Sequence, residues 1–257
     1  MEIKKVIEAS LGYGKKYGIL LDRKRLLERL ISKKIYKTKD IDKIISKEKI
    51  NLGIYSKKKK IIYEEKMELA IKLSSKLSKF RTILFMGVSG SVASEYPKSN
   101  DDIDIFIICK KNSLWVTRAG VMVYVWIMGI PHRRRGQPEK KNEFCFNLWI
   151  DENELEMPKI KQDLKNAMDA ILVKTLINRE NTRERFMLAN RWIGDYLAQS
   201  YVKYNKKKEI KDIKSGNLFL KIVNVIFYWG QYGYMKKIIT NEIVDINKAF
   251  FHPSLQI

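Results

Sequence analysis

The stretch that most constrains this chain is Phe85-Met86-Gly87-Val88-Ser89-Gly90-Ser91-Val92-Ala93, followed at Asn100-Asp101-Asp102-Ile103-Asp104-Ile105-Phe106-Ile107-Ile108. It reads as an apolar strand, a glycine–serine turn, a short polar connection and a second apolar strand that opens with carboxylates. Alternate residues of a strand share a face. Asp102 and Asp104 are therefore expected to point the same way, with Ile103, Ile105 and Ile107 directed into a core. Neighbouring carboxylates at the mouth of a sheet repel each other and resist desolvation. A divalent cation, Mg2+ (or Mn2+), removes that cost, because hard cations take few protein oxygens and complete their shell with water and phosphate. Gly90 lets backbone approach a ligand closely, and N–H groups at such a turn hold phosphate oxygens. The pattern suggests a triphosphate on Gly90 and Ser91 and metal on Asp102 and Asp104. The plain alternative is a strand ending in solvated aspartates after an ordinary turn.

Charge adds a partner class. Lys and Arg number 51 against 29 Asp and Glu, a formal net charge of +22 over 257 residues. Such an excess favours a polyanion: nucleic acid, an anionic membrane or a nucleotide. Compositional drift toward lysine and isoleucine accounts for part of it. Cys109 and Cys145 form neither a disulfide framework nor a metal-ligand spacing, and read as buried thiols in a reducing compartment. The start of the chain lacks an apolar leader, and the longest apolar run, 119–130, is too short to span a bilayer. A cytoplasmic protein with no membrane partner is expected.

Along the chain, residues 3–21 read as a helix broken at Gly12-Tyr13-Gly14. Asp22 is an N-cap for a helix over 23–32, and Thr38 or Asp40 opens another. Residues 50–55 and 61–63 read as two short strands joined by the turn Lys57-Lys58-Lys59-Lys60. Three helices followed by such a hairpin is the order of a winged helix. The lysine-tipped wing suits phosphate contacts without sequence preference; a solvated hairpin or a protein-docking unit is the alternative. Residues 64–80 form an amphipathic helix, Ser113 caps a core helix, and Arg118 within it is either a phosphate contact or a structurally paired arginine. A basic loop carrying His132, Arg133, Arg134 and Arg135 precedes Phe144-Cys145-Phe146-Asn147-Leu148-Trp149-Ile150-Asp151. Strict alternation puts Phe144, Phe146, Leu148 and Ile150 on one face and Cys145, Asn147, Trp149 and Asp151 on the other. The remainder reads as helical over 160–173, 181–201 and 217–239, with a polar linker at 203–211. The aromatic stripes of these helices are packing residues or, alternatively, stacking platforms for bases.

Gly-Ser followed by Asp-x-Asp on the next strand resembles the DNA polymerase beta-like nucleotidyltransferase superfamily. The order winged helix, "GS", "DID", "LWVTR", "RRRG", "FCFNLWID", with Ala249-Phe250-Phe251-His252-Pro253 near the end, is similar to winged-helix nucleotidyltransferase-domain proteins of bacteria and archaea. The resemblance implies an α+β fold: an N-terminal winged helix (1–63), a small mixed-sheet nucleotidyltransferase core (64–155) and a C-terminal helical region (156–257). It further implies nucleotide contacts near Lys174 and Arg179. Active superfamily members carry a third carboxylate on a later core strand. Here that strand offers Asn147 at its middle and Asp151 at its end, on the order of 13 Å apart. Asn147 brings neither charge nor a base. Asp151 serves only if it is level with the aspartate pair.

These features predict an enzyme that transfers a nucleoside monophosphate from a nucleoside triphosphate to an acceptor hydroxyl, RNA or DNA being the expected acceptor. Asp102, Asp104 and Asp151 are its candidate catalytic residues. Gly90, Ser91, Arg118 and Lys174 are candidate nucleotide contacts. Lys57 to Lys60 and Arg133 to Arg135 are candidate nucleic-acid contacts. The competing expectations are a nucleic-acid-binding protein that has lost the chemistry, and a winged-helix interaction protein.

Overall fold

The computed structural model describes residues 2–133, 140–204, 218–237, 239 and 242–251. Its centre is a six-stranded mixed sheet in the order β4-β1-β2-β3-β6-β5, made by Ile83–Val88 (β1), Ile103–Cys109 (β2), Phe144–Asp151 (β3), Lys174–Asn178 (β4), Ile243–Val244 (β5) and Lys248–Phe250 (β6). β2 and β3 are parallel, and the other neighbours are antiparallel. Lys57–Leu77 (α4), Leu114–Ile127 (α6) and Leu218–Met235 (α10) contribute to the core on one face, with Ile103, Ile105 and Ile107. Leu164–Leu172 (α7), Thr182–Ala189 (α8) and Gly194–Tyr201 (α9) contribute to the other, with Phe106 and Ile108. β2 is thus apolar on both sides, which is why it reads as a near-continuous apolar run.

The N-terminal helices Glu2–Lys16 (α1), Arg23–Glu28 (α2) and Thr38–Lys47 (α3) enclose their own cluster of Ile7, Leu21, Leu26, Leu30 and Ile41. Asp22 caps α2 as expected, accepting the Arg25 N–H at 2.8 Å. The expected break at Gly12-Tyr13-Gly14 is absent, and α1 is continuous. Gly14 instead admits the returning chain: a Cβ there would lie 2.9 Å from the Ile19 carbonyl oxygen.

The wing is also absent. Residues 49–56 form no strand, and Lys57 to Lys60 are the first turn of α4, which runs unbroken past residue 63, where the sequence places a domain boundary. Two features hide the first turns of this helix. The lysine run reads as a turn, and Ile61 and Ile62 are β-branched and read as strand. The buried stripe of α4 also includes Lys66, whose ammonium caps the Asp101 carbonyl at 2.6 Å and Asn142 Oδ1 at 2.9 Å. The sequence nevertheless shows the helical period over 64–80, so only the turns before it are hidden. Lys59 donates to the Pro97 carbonyl at 2.9 Å, while Lys57, Lys58 and Lys60 are exposed. The C-terminal third is not wholly helical either, since β4, β5 and β6 belong to it.

Glu95 ties the N-terminal helices to the sheet. It lies just past Gly90–Ala93 (α5), in the left-handed region with φ 65°. Its carboxylate accepts Arg25 of α2 and, at 2.6 Å, Lys174 Nζ of β4. Arg29 adds a bond to the Ser94 carbonyl at 2.7 Å. Burial opposes ionisation of Glu95, but Lys174 and Arg25 outweigh it and hold the carboxyl below the ordinary glutamate value. A carboxyl depressed in the folded state contributes stability that is present above the unfolded pKa and lost as pH falls through the folded one. Glu95→Ala is expected to cost about 3–5 kcal/mol, because it strands a buried guanidinium. Glu95→Gln is expected to flatten the acid limb of thermal stability below about pH 5. Unfolding followed by circular dichroism across pH checks both.

Candidate functional site

β1 delivers the chain to Ser89, where it turns at Gly90 with φ +64° into the short helix α5. Ser89 N–H donates to the Asp104 carbonyl at 2.9 Å, so the bend is fastened to the strand that carries the carboxylates. Gly90 is required twice. Its φ lies where side chains are strained, and a Cβ there would overlap Asp104 Oδ2. The backbone of the bend therefore presses directly on the carboxylate. The first amides of α5, those of Gly90 and Ser91, have no acceptor within the helix.

Asp102 is buried and accepts Arg133 Nη1 on Oδ2 at 3.0 Å. Asp104 is half-buried and accepts Asn147 Nδ2 on Oδ1 at 2.5 Å. Ligand atoms of Asp102, Asp104 and Cys145 all lie within 4.8 Å of one another. Burial pushes the Cys145 thiol up, and the charges of Asp104 and Asp102 push it further. It therefore stays protonated near neutrality and is a poor ligand. The donor set that fits a hard divalent cation is the two carboxylates, with the Asn147 amide beside them.

The sequence places Asp151 on the same face as Asn147, and the structure corrects this. Asp104 pairs with Cys145 but Phe106 pairs with Leu148, so β3 carries one extra residue between these partners. Such a β-bulge reverses the alternation beyond it. Ahead of the bulge, Cys145 lies level with Asp104. Beyond it, Leu148 and Ile150 join the core that holds Phe106, while Trp149 joins the opposite core. Asp151 pairs with Cys109 at the far end of β2, on the order of 16 Å from Asp104 along the strand. There it accepts the N–H groups of Asn112 at 3.1 Å, Ser113 at 3.1 Å and Asn153 at 3.0 Å. It caps the start of α6, the task the sequence gives to Ser113. Burial raises its pKa to about 6 against the pull of these N–H donors.

Arg118 is likewise not brought to the pair. It lies on the α6–α10 side of the sheet, bonded to Gln231, with its guanidinium 4.9 Å from the Phe251 ring centroid. Desolvation lowers its pKa to about 10, and the paired-arginine alternative describes it. Lys174 does lie beside the bend, paired in register with Val88, but its ammonium is committed to Glu95. Arg179 donates to the carbonyls of Ile83 at 2.6 Å and Phe80 at 2.9 Å, bracing β1. His132 contacts the Ile130 carbonyl at 3.0 Å through Nδ1, as a loop residue. Of the basic loop, Arg133 reaches the site, whereas Arg134 and Arg135 lie outside the described residues.

The charge of Asp104 also reaches Asp169 of α7, an acid that the sequence reading does not single out. Surrounding protein raises its pKa, Lys165 at 3.0 Å partly offsets this, and the charges of Asp104 and Asp163 add to the rise. Its only sequence signal is the Lys165–Asp169 spacing, which reads as an ordinary exposed helix pair.

Asp151→Ala is expected to lower stability by about 1–3 kcal/mol, the cost of stranding buried N–H donors. Mn2+ affinity at the aspartate pair should stay unchanged. Chemical denaturation and a paramagnetic Mn2+ titration measure the two effects separately. No family model matches the chain, and no curated protein or solved structure matches it.

Proposed function

We propose that this chain is a metal-dependent nucleotidyltransferase, moving a nucleoside monophosphate from a nucleoside triphosphate to an acceptor hydroxyl on nucleic acid, with RNA favoured. The observation that carries the reading is the contact of Gly90 with Asp104. It sets a bend whose first amides have no acceptor within their own helix against a carboxylate pair, well within the reach of one triphosphate. In this reading the Gly90 and Ser91 amides bind β- and γ-phosphate oxygens. Asp102 and Asp104 would hold Mg2+ or Mn2+, which when bound supplies Lewis-acid charge to the phosphoryl oxygens. Arg133 releases Asp102 to the ion and turns to the phosphates. The net charge of +22 supports a polyanionic acceptor.

A second reading has its own observation. Asn147, not a carboxylate, donates to Asp104 at the place where a third acid is expected. A protein that binds polynucleotide on this scaffold without transferring a nucleotide would keep such an asparagine.

Labelled nucleoside triphosphates incubated with the protein, Mg2+ or Mn2+ and total RNA are expected to give labelled RNA. Asp102→Ala and Asp104→Ala should reduce this to background. The transferase reading is lost if the unmodified protein transfers no label to RNA, DNA or protein while salt-sensitive polynucleotide binding survives both substitutions. A separate measurement concerns Asn147→Asp. Without metal, a third acid replaces a donor beside Asp104 and should lower the melting temperature. Added Mn2+ should then raise it by more than it raises that of the unmodified protein.

A further inference from the structure

The outer face of α10 is unlike the rest of this basic surface. Leu218, Ile222, Ile226, Phe227, Trp229 and Tyr234 are between 39% and 75% exposed. The helix carries one charged residue, Lys221, in its 18 positions. It is firmly seated: Asn224 Oδ1 accepts the Trp115 N–H at 2.7 Å, and Gln231 donates to the Trp115 carbonyl at 2.9 Å. The apolar side is therefore the one left over after α10 has packed on α6. Gly230 and Gly233 are exposed, and a Cβ at either would meet nothing within 4 Å. Glycine is a poor helix former, and among the described residues no contact requires it at these two positions. A second helix approaching closely would.

We propose that α10 is the interface through which two copies of this chain associate, helix against helix, with Gly230 and Gly233 at the crossing. At roughly 150–250 Å² per aromatic side chain, the exposed parts of Phe219, Phe227, Trp229 and Tyr234 amount to about 500 Å². The aliphatic residues bring the face near the ~800 Å² per partner that a stable association buries. The near absence of charge lets two copies of a strongly basic protein meet here without facing like charges. A lipid surface fits less well, because helices that lie on anionic membranes carry lysine and arginine along their polar side. The inward side of α10 is occupied by Asn224 and Gln231 in contact with α6. The inference is independent of the transferase reading.

The full chain is expected to be a dimer by light scattering over a dilution series. Ile226→Glu should weaken the dimer at least tenfold. Gly230→Leu should weaken it as well, although it adds apolar surface, because it blocks close approach of the helices. Both positions are exposed, so far-UV circular dichroism should be unchanged. A chain that is monomeric at every concentration overturns the proposal, as does a dimer that both substitutions leave intact. A monomer that co-sediments with phosphatidylserine vesicles, and loses this with Ile226→Glu, assigns the face to lipid and overturns it too.

Discussion

The contact on which the rest of the site depends is backbone against carboxylate: Gly90 pressed onto Asp104. It is possible only without a side chain at residue 90 and with a positive φ there. It fixes how far the α5 amides stand from the acidic pair. The flanking structure holds that contact from both sides. The Ser89–Asp104 backbone bond closes it on the strand side. Glu95, itself in a left-handed conformation, anchors the other end of α5 to α2 and β4 through Arg25 and Lys174.

Much of this was legible before any coordinates. The apolar run, the glycine–serine bend and the alternating aspartates give two adjacent strands with carboxylates at one end, and β1 and β2 are those strands. The Asp22 cap follows from capping preference, and α3 and the core helix α6 from the spacing of their apolar residues. Three features resisted. The first turns of α4 are obscured by the lysine run and by Ile61 and Ile62, which read as a turn and a strand ahead of the helix expected over 64–80. A helix is expected to end at residue 173, close to the end of α7, but β4 follows with only Val173 between them and is too short and too polar to declare itself a strand. The short strands β5 and β6 gain their place from pairing with β3, a tertiary effect that local propensity does not carry.

The fourth failure is the most instructive. Strict alternation along β3 puts Asn147 and Asp151 on one face, and both were therefore candidates for one position. A single extra residue between the partners of Asp104 and Phe106 separates them to opposite faces. Bulges leave little trace in composition, and this one sits among Phe, Asn, Leu and Trp, all ordinary strand residues. The same kink explains why Phe146 and Leu148, two residues apart, enter different cores, and why Asp151 serves α6 rather than the acidic pair.

That kink also divides β3 into two independent parts. The segment up to Asn147 answers to the chemistry of the carboxylates, and the segment after it answers to the architecture of the sheet and α6. Sequence drift in one half is thus insulated from the other. A chain that shed the additional residue would rotate its whole distal half by one pleat. An internal carboxyl would then turn to the face of the acidic pair, and Trp149 into the smaller place now filled by Leu148 and Ile150, so the bulk of that aromatic holds the strand in its present phasing.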